Sequence, residues 1–335
     1  MAASAFFRLA AMLAVATATL VSAEPQTAPK TSYTAPKHGN PPPFFQSLTP
    51  QQAVHYADGA VTVEHHRGPA ERLAEHRRVA RALAALLPQR KGVIDAYVLS
   101  IALDSDPVFG REAREAGHVL ARRYDAAGRS ITLAGSDGAA PSSLAAGSPE
   151  NLALALARIA EVMDRSEDVL ILYTTSHGAP IGIVYNDADM GFGVISPAAL
   201  AGELDALGIK RRVLLISACY SGSFVSALSA DDTAILSASA GDRTSFGCKA
   251  DSDWTFFGDA LINHALRKAQ PLSAAGAEAA ALVEQWEARG RLTSSLPQML
   301  IGASAQRWLA VLDKRTPKVA TMPVGTPAAT LLARR

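Results

Sequence analysis

Cys219 and His177 are the two side chains whose surroundings suit nucleophilic chemistry. Residues 168–175 (DVLILYTT) form an apolar run that leads into Ser176-His177-Gly178. Residues 212–218 (RVLLISA) form another, leading into Cys219-Tyr220-Ser221-Gly222-Ser223. Such runs suit strands buried on both faces of a sheet, and in open α/β sheets functional groups gather just beyond the carboxyl ends of the strands. If the two strands are neighbours, His177 and Cys219 emerge side by side on one rim. A thiol is only slightly ionised at neutral pH, and a nearby imidazole can take its proton or stabilise the thiolate. A helix opening after Cys219 would lower the thiol pKa further through its free N–H groups. Gly178 lets a backbone N–H approach a substrate carbonyl closely, and with the N–H of Cys219 it would form an oxyanion hole. Taken singly, a histidine after a strand is usually a polar loop residue, and a cysteine at a strand end a small core residue. Spacing alone leaves the catalytic and the bland readings level.

The elements that must position these residues show as alternating patterns. Thr49-Pro50-Gln51-Gln52 signals a helix start, and a longer helix over residues 69–87 carries Leu73, Val79, Leu83 and Leu86 on one face. From residue 93 strands and helices alternate. Strands are predicted over 93–103, 130–134, 168–175, 212–218, 233–238 and 298–302, with helices over 111–124, 148–164, 197–207, 253–268 and 273–289. Ser148 caps its helix, with Pro149 in the first turn. Asp187 and Asp189 fall in a turn or hairpin between Ile183 and Ile195, for which a metal site is the weaker reading. His65, His66 and His76 read as solvated. Strands separated by helices of this length imply parallel βαβ units. The prediction is a three-layer α/β domain over residues 61–313, with a mostly parallel sheet and helices on both faces. Residues 24–60 read as a Pro-rich lead and residues 314–335 as a flexible tail.

Lys and Arg number 32 against 31 Asp and Glu. That near balance, without a basic run, argues against a nucleic-acid binder. Arg8 precedes an apolar stretch from Leu9 to Val21 that ends in Val21-Ser22-Ala23, before Glu24-Pro25. A short apolar stretch with small residues at its end reads as an export signal over residues 1–23 rather than as a membrane anchor. The expected location is periplasmic or secreted, with no stable membrane span after cleavage. Cys219 and Cys248 are the two cysteines, and in an oxidising compartment one disulfide is the bland reading of such a count.

The segment Ser176-His177-Gly178 after one apolar strand, followed by Ser217-Ala218-Cys219-Tyr220-Ser221-Gly222-Ser223 after the next, resembles the legumain-like family of cysteine peptidases. That family includes asparaginyl endopeptidases and the catalytic subunit of the GPI-anchor transamidase, and it shares its fold with caspases. The resemblance covers roughly residues 93–302. It implies a caspase-like fold, a catalytic dyad of His177 and Cys219, and an oxyanion N–H from Gly178. Residues 237–259 (SASAGDRTSFGCKADSDWTFFGD) resemble the family's segment of small-residue strand, Ser-rich loop and aromatic-Gly-Asp helix start. By that likeness Thr244, Ser245 and Phe246 line the groove for the residue before the scissile bond, Asp259 matches the acid at its base, and Arg111 is a pocket residue. The chain departs from the asparaginyl endopeptidases at Ser217, where they have an acid, and at Glu112, where they have His. Both changes put asparagine specificity in doubt. Cys248 falls in a loop that the family places near the active-site rim, where pairing with Cys219 would inactivate; a free, partly buried thiol is the plainer alternative.

The resulting expectation is an exported cysteine peptidase acting on a protein or peptide substrate through a thioester, with no metal or organic cofactor and no third catalytic member evident. A transpeptidase using the same dyad and a non-catalytic exported binding protein are the rival readings.

Overall fold

The computed structural model describes residues 43–65, 67–135, 143–188 and 190–334. The candidate signal over residues 1–23, most of the Pro-rich lead, His66 and Asp189 lie outside the described residues. Helices α1 (Pro43–Gln46), α2 (Pro50–Asp58) and α3 (Pro69–Ala84), with strand β1 (Thr62–Glu64), precede the first central strand, β2 (Ala96–Ala102). Then come α4 (Pro107–Arg123), β3 (Ser130–Leu133), α5 (Pro149–Val162) and β4 (Val169–Thr175). Three strands, β5 (Gly178–Ala179), β6 (Gly182–Asp187) and β7 (Gly191–Ile195), lead to α6 (Pro197–Ala206), β8 (Arg212–Ser217), α7 (Ser223–Leu228) and β9 (Thr233–Ser237). After α8 (Phe256–Gly258) the chain winds through a π turn (Asp259–His264) and a 3-10 turn (Ala265–Arg267). It ends with α9 (Leu272–Gly290), β10 (Gln298–Ile301), α10 (Ala303–Arg315) and a 3-10 segment (Ala328–Arg334).

The helix starts follow from residue chemistry. Pro occupies the first turn of α2, α3, α4, α5 and α6, where its missing N–H costs no hydrogen bond. Thr49, Ser148 and Ser196 each accept a bond from a first-turn N–H, satisfying a donor the helix cannot.

The main sheet has six strands in the order β10-β9-β8-β4-β2-β3. Five are parallel, and β10 runs antiparallel to β9 at one edge. Period-two alternation divides its side chains between two cores. Val98, Ile171, Tyr173, Val213, Leu215 and Leu236 face the side covered by α4, α9 and α10. Leu99, Ile101, Leu170, Leu172, Leu214 and Ile216 face the side covered by α5 and α6. The fold is thus three-layer α/β. A second, antiparallel sheet, β1-β7-β6-β5, stands beside it.

Three expectations are corrected. The lead is not a linker throughout: from Pro43 it forms α1 and α2, with Phe45 edge-on to Phe192 at 4.7 Å and the Ala57 carbonyl accepting from Ser196 N–H at 3.4 Å. The tail is not loose, because the Asn263 side chain bonds both Val324 N–H (2.9 Å) and Val324 O (3.0 Å). Ala328 N–H donates to Asp259 at 2.7 Å and the Trp254 indole N–H to Val324 O at 2.9 Å. A Pro/Ala/Thr composition lacks periodicity, but it can still lie on a surface that offers backbone partners. Finally, the helix expected over 253–268 starts only at Phe256, since Thr255 is extended and caps Gly258 N–H with its side chain. Among the described residues no helix is long and apolar enough to cross a membrane.

Asn263→Ala would take the partner from Val324 N–H and leave Val324 O only the Trp254 indole, at a cost of roughly 1 kcal/mol. The expected outcome is a lower thermal midpoint and faster proteolytic release of the residues after Thr316, read by mass spectrometry. Unchanged proteolysis would mean that the tail is held by other contacts.

Candidate active site

Strand pairing fixes where the two candidate residues emerge. β4 and β8 pair in parallel from Leu170↔Arg212 to Thr175↔Ser217, and Ser176 N–H extends the ladder to Ser217 O at 3.2 Å. His177 and Cys219 each stand two residues beyond the last pair, so they leave the sheet together. Their backbones are in close approach: a Cβ on Gly178 would lie 2.0 Å from Cys219 O and 2.9 Å from Cys219 N. Only glycine fits there. Val184 N–H donates to His177 O at 3.0 Å, which puts Gly178, opposite Ile183, at a position whose N–H the hairpin does not use.

The turn after Cys219 is strained and tightly packed. Tyr220 is left-handed (φ +59°), and its N–H donates to Arg243 O at 2.7 Å. A Cβ on Gly222 would fall 2.5 Å from Gly241 N. Non-glycine residues in this region are costly, and such strain gathers at functional sites. The expected helix does not begin at Cys219; α7 starts at Ser223 and has 6 residues, so its dipole is not what acts on the thiol. The loop carrying residues 244–248 does that instead. Ser245 N–H points at Cys219 Sγ (3.2 Å), and the Ser245 hydroxyl and carbonyl lie at 3.6 Å.

The electrostatics favour a charged pair. The Cys219 thiol is brought down to about 6, chiefly by a hydrogen bond from the Cys248 thiol, against the opposing effect of burial; Ser245 and the charge of His177 lower it further. Cys248 is correspondingly pushed well up by Cys219 and by burial. Both thiols are free. For His177, burial pulls the pKa down, but the Asp106 hydrogen bond and the charges of Asp104, Asp106 and Cys219 outweigh it, and the net direction is up. Asp106 Oδ2 lies 3.3 Å from His177 Nε2, and Phe109 meets the imidazole edge-on at 5.0 Å.

Asp106 is the partner that sequence reasoning missed. It sits at the N-cap of α4, and its own N–H donates to Asp104 Oδ1 at 2.8 Å. The 103–106 segment is stitched to β6 by Ser105 N–H to Asn186 O (2.9 Å) and Asn186 N–H to Leu103 O (3.0 Å). A strand-end Asp-Ser-Asp-Pro was the available signal. Asp104, Asp106 and His177 also place ligand atoms within 4.8 Å of one another, a spacing that could serve a cation; the hydrogen bonds among them already account for the arrangement.

This rim and both of its strands lie within residues 149–303, which match the Peptidase C13 family. The match spans somewhat under half of the chain. The match supports cysteine-type endopeptidase activity. No curated protein matches the chain. Among solved structures it is similar to caspase-1 from Spodoptera frugiperda, at 13% identity and a TM-score of 0.41, over 64% of this chain and 92% of that one.

The pocket residues inferred from family likeness divide. Ser245 touches Cys219, Thr244 beside it is exposed, and Phe246 turns inward to pack on Phe256 at 6.0 Å between centroids. The other three do not line an opening. Ser217 is buried, its hydroxyl 3.1 Å from that of Thr255. Asp259 is buried beneath the tail, with its oxygens taken by Asn263 and Ala328 N–H. The Arg111 guanidinium holds the next loop through Ala250 O, Ser252 O and Asp253. Glu112, which the likeness marked as a departure from the asparaginyl endopeptidases, is buried. It accepts from Tyr173 OH (2.6 Å), Thr175 Oγ1 (2.7 Å) and Thr255 N–H (2.8 Å). It braces the floor under the rim.

A thiol reacts as thiolate, which exists above its pKa. Iodoacetamide labelling of Cys219 should therefore rise with a midpoint at pH about 6, while Cys248 stays unlabelled until the medium is strongly alkaline. A midpoint for Cys219 near the ordinary thiol value of about 8.5 would contradict this electrostatic account.

Proposed function

We propose that the chain is an exported endopeptidase that cleaves peptide bonds through Cys219 and His177, with Asp106 positioning the imidazole. The observation that carries this reading is the paired exit of the two residues from β4 and β8, with the thiol lowered and the imidazole raised. The match of residues 149–303 to a cysteine peptidase family supports the same chemistry. Export rests on the apolar segment and the Val21-Ser22-Ala23 ending before Glu24, which suit a periplasmic or secreted protein.

In this mechanism the Cys219 thiolate attacks the scissile carbonyl carbon, forming a C–S bond and an oxyanion. The N–H groups of Gly178 and Cys219 face that oxygen, and each such donor is worth roughly 3 kcal/mol in the transition state. The intermediate collapses as the C–N bond breaks, and imidazolium His177 gives its proton to the leaving amine. His177 Nε2 is held by Asp106, which leaves Nδ1 for the transfer. Neutral His177 then takes a proton from water, whose oxygen attacks the thioester and returns Cys219 as thiolate. The carboxylate of Asp106 keeps the ring in one orientation and stabilises its cationic form.

Purified chain incubated with a peptide library, with products read by mass spectrometry, tests the reading. Cys219→Ala should abolish cleavage, and His177→Ala should slow it by roughly 10²- to 10⁴-fold. Asp106→Asn removes a charge that raises His177, so the imidazolium is lost at lower pH. The alkaline limb of the pH–rate profile should shift down, and kcat should fall about tenfold or more with KM little changed. Full activity in Cys219→Ala would sink the mechanism.

A further inference from the structure

A continuous line of contacts joins the residues after Thr316 to the Cys219 thiol. Thr326 N–H donates to Asp253 Oδ2 at 2.7 Å. Just before it Gly325 is left-handed (φ +74°), and a Cβ there would lie 3.1 Å from that oxygen and 3.2 Å from the Trp254 indole nitrogen. The same indole N–H is bonded to Val324 O at 2.9 Å. The tail is thus seated on Asp253 and Trp254, with glycine at the point of closest approach. The other carboxylate oxygen, Asp253 Oδ1, stands 3.3 Å from Arg111 Nε. Arg111 in turn donates through one terminal nitrogen to Ala250 O at 2.7 Å and to Ser252 O.

Those carbonyls belong to the loop that meets the thiol. Ser245 N–H points at Cys219 Sγ at 3.2 Å. The loop closes on itself through Phe256 N–H to Phe246 O and Ser252 N–H to Lys249 O, both at 2.9 Å. Lys249, Ala250 and Asp251 at its tip are exposed, so packing does little to hold them, and Arg111 ties that tip to α4. Arg111 lies in the first two turns of α4, the helix whose N-cap residue Asp106 holds His177. One guanidinium therefore spans the element carrying the imidazole's partner and the loop carrying the thiol's partner. Its donors form a fixed planar fork, so its orientation decides which carbonyls it reaches. Asp253 supplies that orientation, and the tail fixes Asp253.

We propose that Asp253 and Arg111 are positioning residues through which the tail, residues 317–334, straps the Ser245 loop against Cys219 and keeps the nucleophile fully reactive. This rests on the reading of Cys219 as nucleophile. Neither residue touches a reacting atom. With the strap in place, Ser245 N–H stays on the thiolate. Without it the fork turns away from Ala250 and Ser252, the loop tip moves, and the thiolate loses a donor. A hydrogen bond to the charged form lowers a pKa, so its loss moves the thiol up and leaves less thiolate at neutral pH.

The test compares wild type, a chain ending at Thr316, Arg111→Met and the two changes combined, each checked for folding by circular dichroism and thermal melting. The quantity read is the pH midpoint of iodoacetamide labelling at Cys219, with peptide cleavage measured beside it. Wild type is expected at about 6. The shortened chain and Arg111→Met should each raise the midpoint by roughly one pH unit. That halves the thiolate at pH 7 and lowers kcat/KM there about twofold. Both changes act on one line of contacts, so the combined variant should move no further than either alone. Asp253→Ala should match Arg111→Met, and Asp253→Glu should return the midpoint toward wild type. If the shortened chain fails to fold, Asp253→Ala carries the comparison, because it removes the acceptor of Thr326 N–H and leaves the tail present. A lowered melting temperature with an unmoved midpoint in Arg111→Met and Asp253→Ala would mark these contacts as purely structural and overturn the proposal. Shifts that add in the combined variant would overturn it too, since the tail would then act by another route. Labelling needs no substrate, so the expected shifts in a chain whose wild type cleaves no peptide would instead fault the catalytic reading.

Discussion

The register of β4 against β8 is the constraint on which the rim depends. Thr175 and Ser217 form the last pair, and the distance from that pair to the next two functional residues is the same on both strands. Were β8 to slip by one residue, its side chains would exchange faces. Leu214 and Ile216 would then leave one core and Val213 and Leu215 the other. Both faces of both strands are covered, so neither core could absorb the exchange. The apolar alternation that stabilises the sheet therefore also sets the spacing between His177 and Cys219, to a tolerance that loops alone could not supply.

A second layer of control comes from what lies under and beside that rim. Glu112 gathers three donors from β4 and from Thr255, tying the central strand to the segment that follows the Cys248 loop. The small sheet does the same for the imidazole, since β6 holds both the hairpin leaving His177 and the 103–106 segment carrying Asp106. The thiol is tuned by a loop and the imidazole by a helix cap, each anchored to a different strand. This division explains why the charged pair forms without any helix N-terminus at Cys219.

The sequence was legible where periodicity or a local signal carried the information. Apolar runs placed β4 and β8, Ser148-Pro149 placed the start of α5, and the strand-end glycines marked the backbone approach at Gly178. Likeness to a family pointed to the loop of Ser245, which follows a recognisable strand and meets Cys219. The same likeness named Asp259 and Ser217, whose types fit a pocket but whose neighbours, Asn263, Ala328 and Thr255, are set by tertiary packing. Asp106 carried too little signal alone, since an acid before Pro107 reads first as a helix cap. The tail and the 43–58 segment were misread because low periodicity says nothing of partners that a distant surface provides.

The floor built on Glu112 has a bearing on when the chain becomes chemically competent. Its third donor, Thr255, and the thiol's own neighbours, Ser245 and Cys248, all come from chain that follows both strand-end residues. The stretch through β8 can pair its strands and still lack most of what makes Cys219 acidic, the charge of His177 apart. During synthesis from the amino end, the Cys219 thiol is present well before these neighbours are. The groups that tune the thiol then arrive with the last third of the sequence.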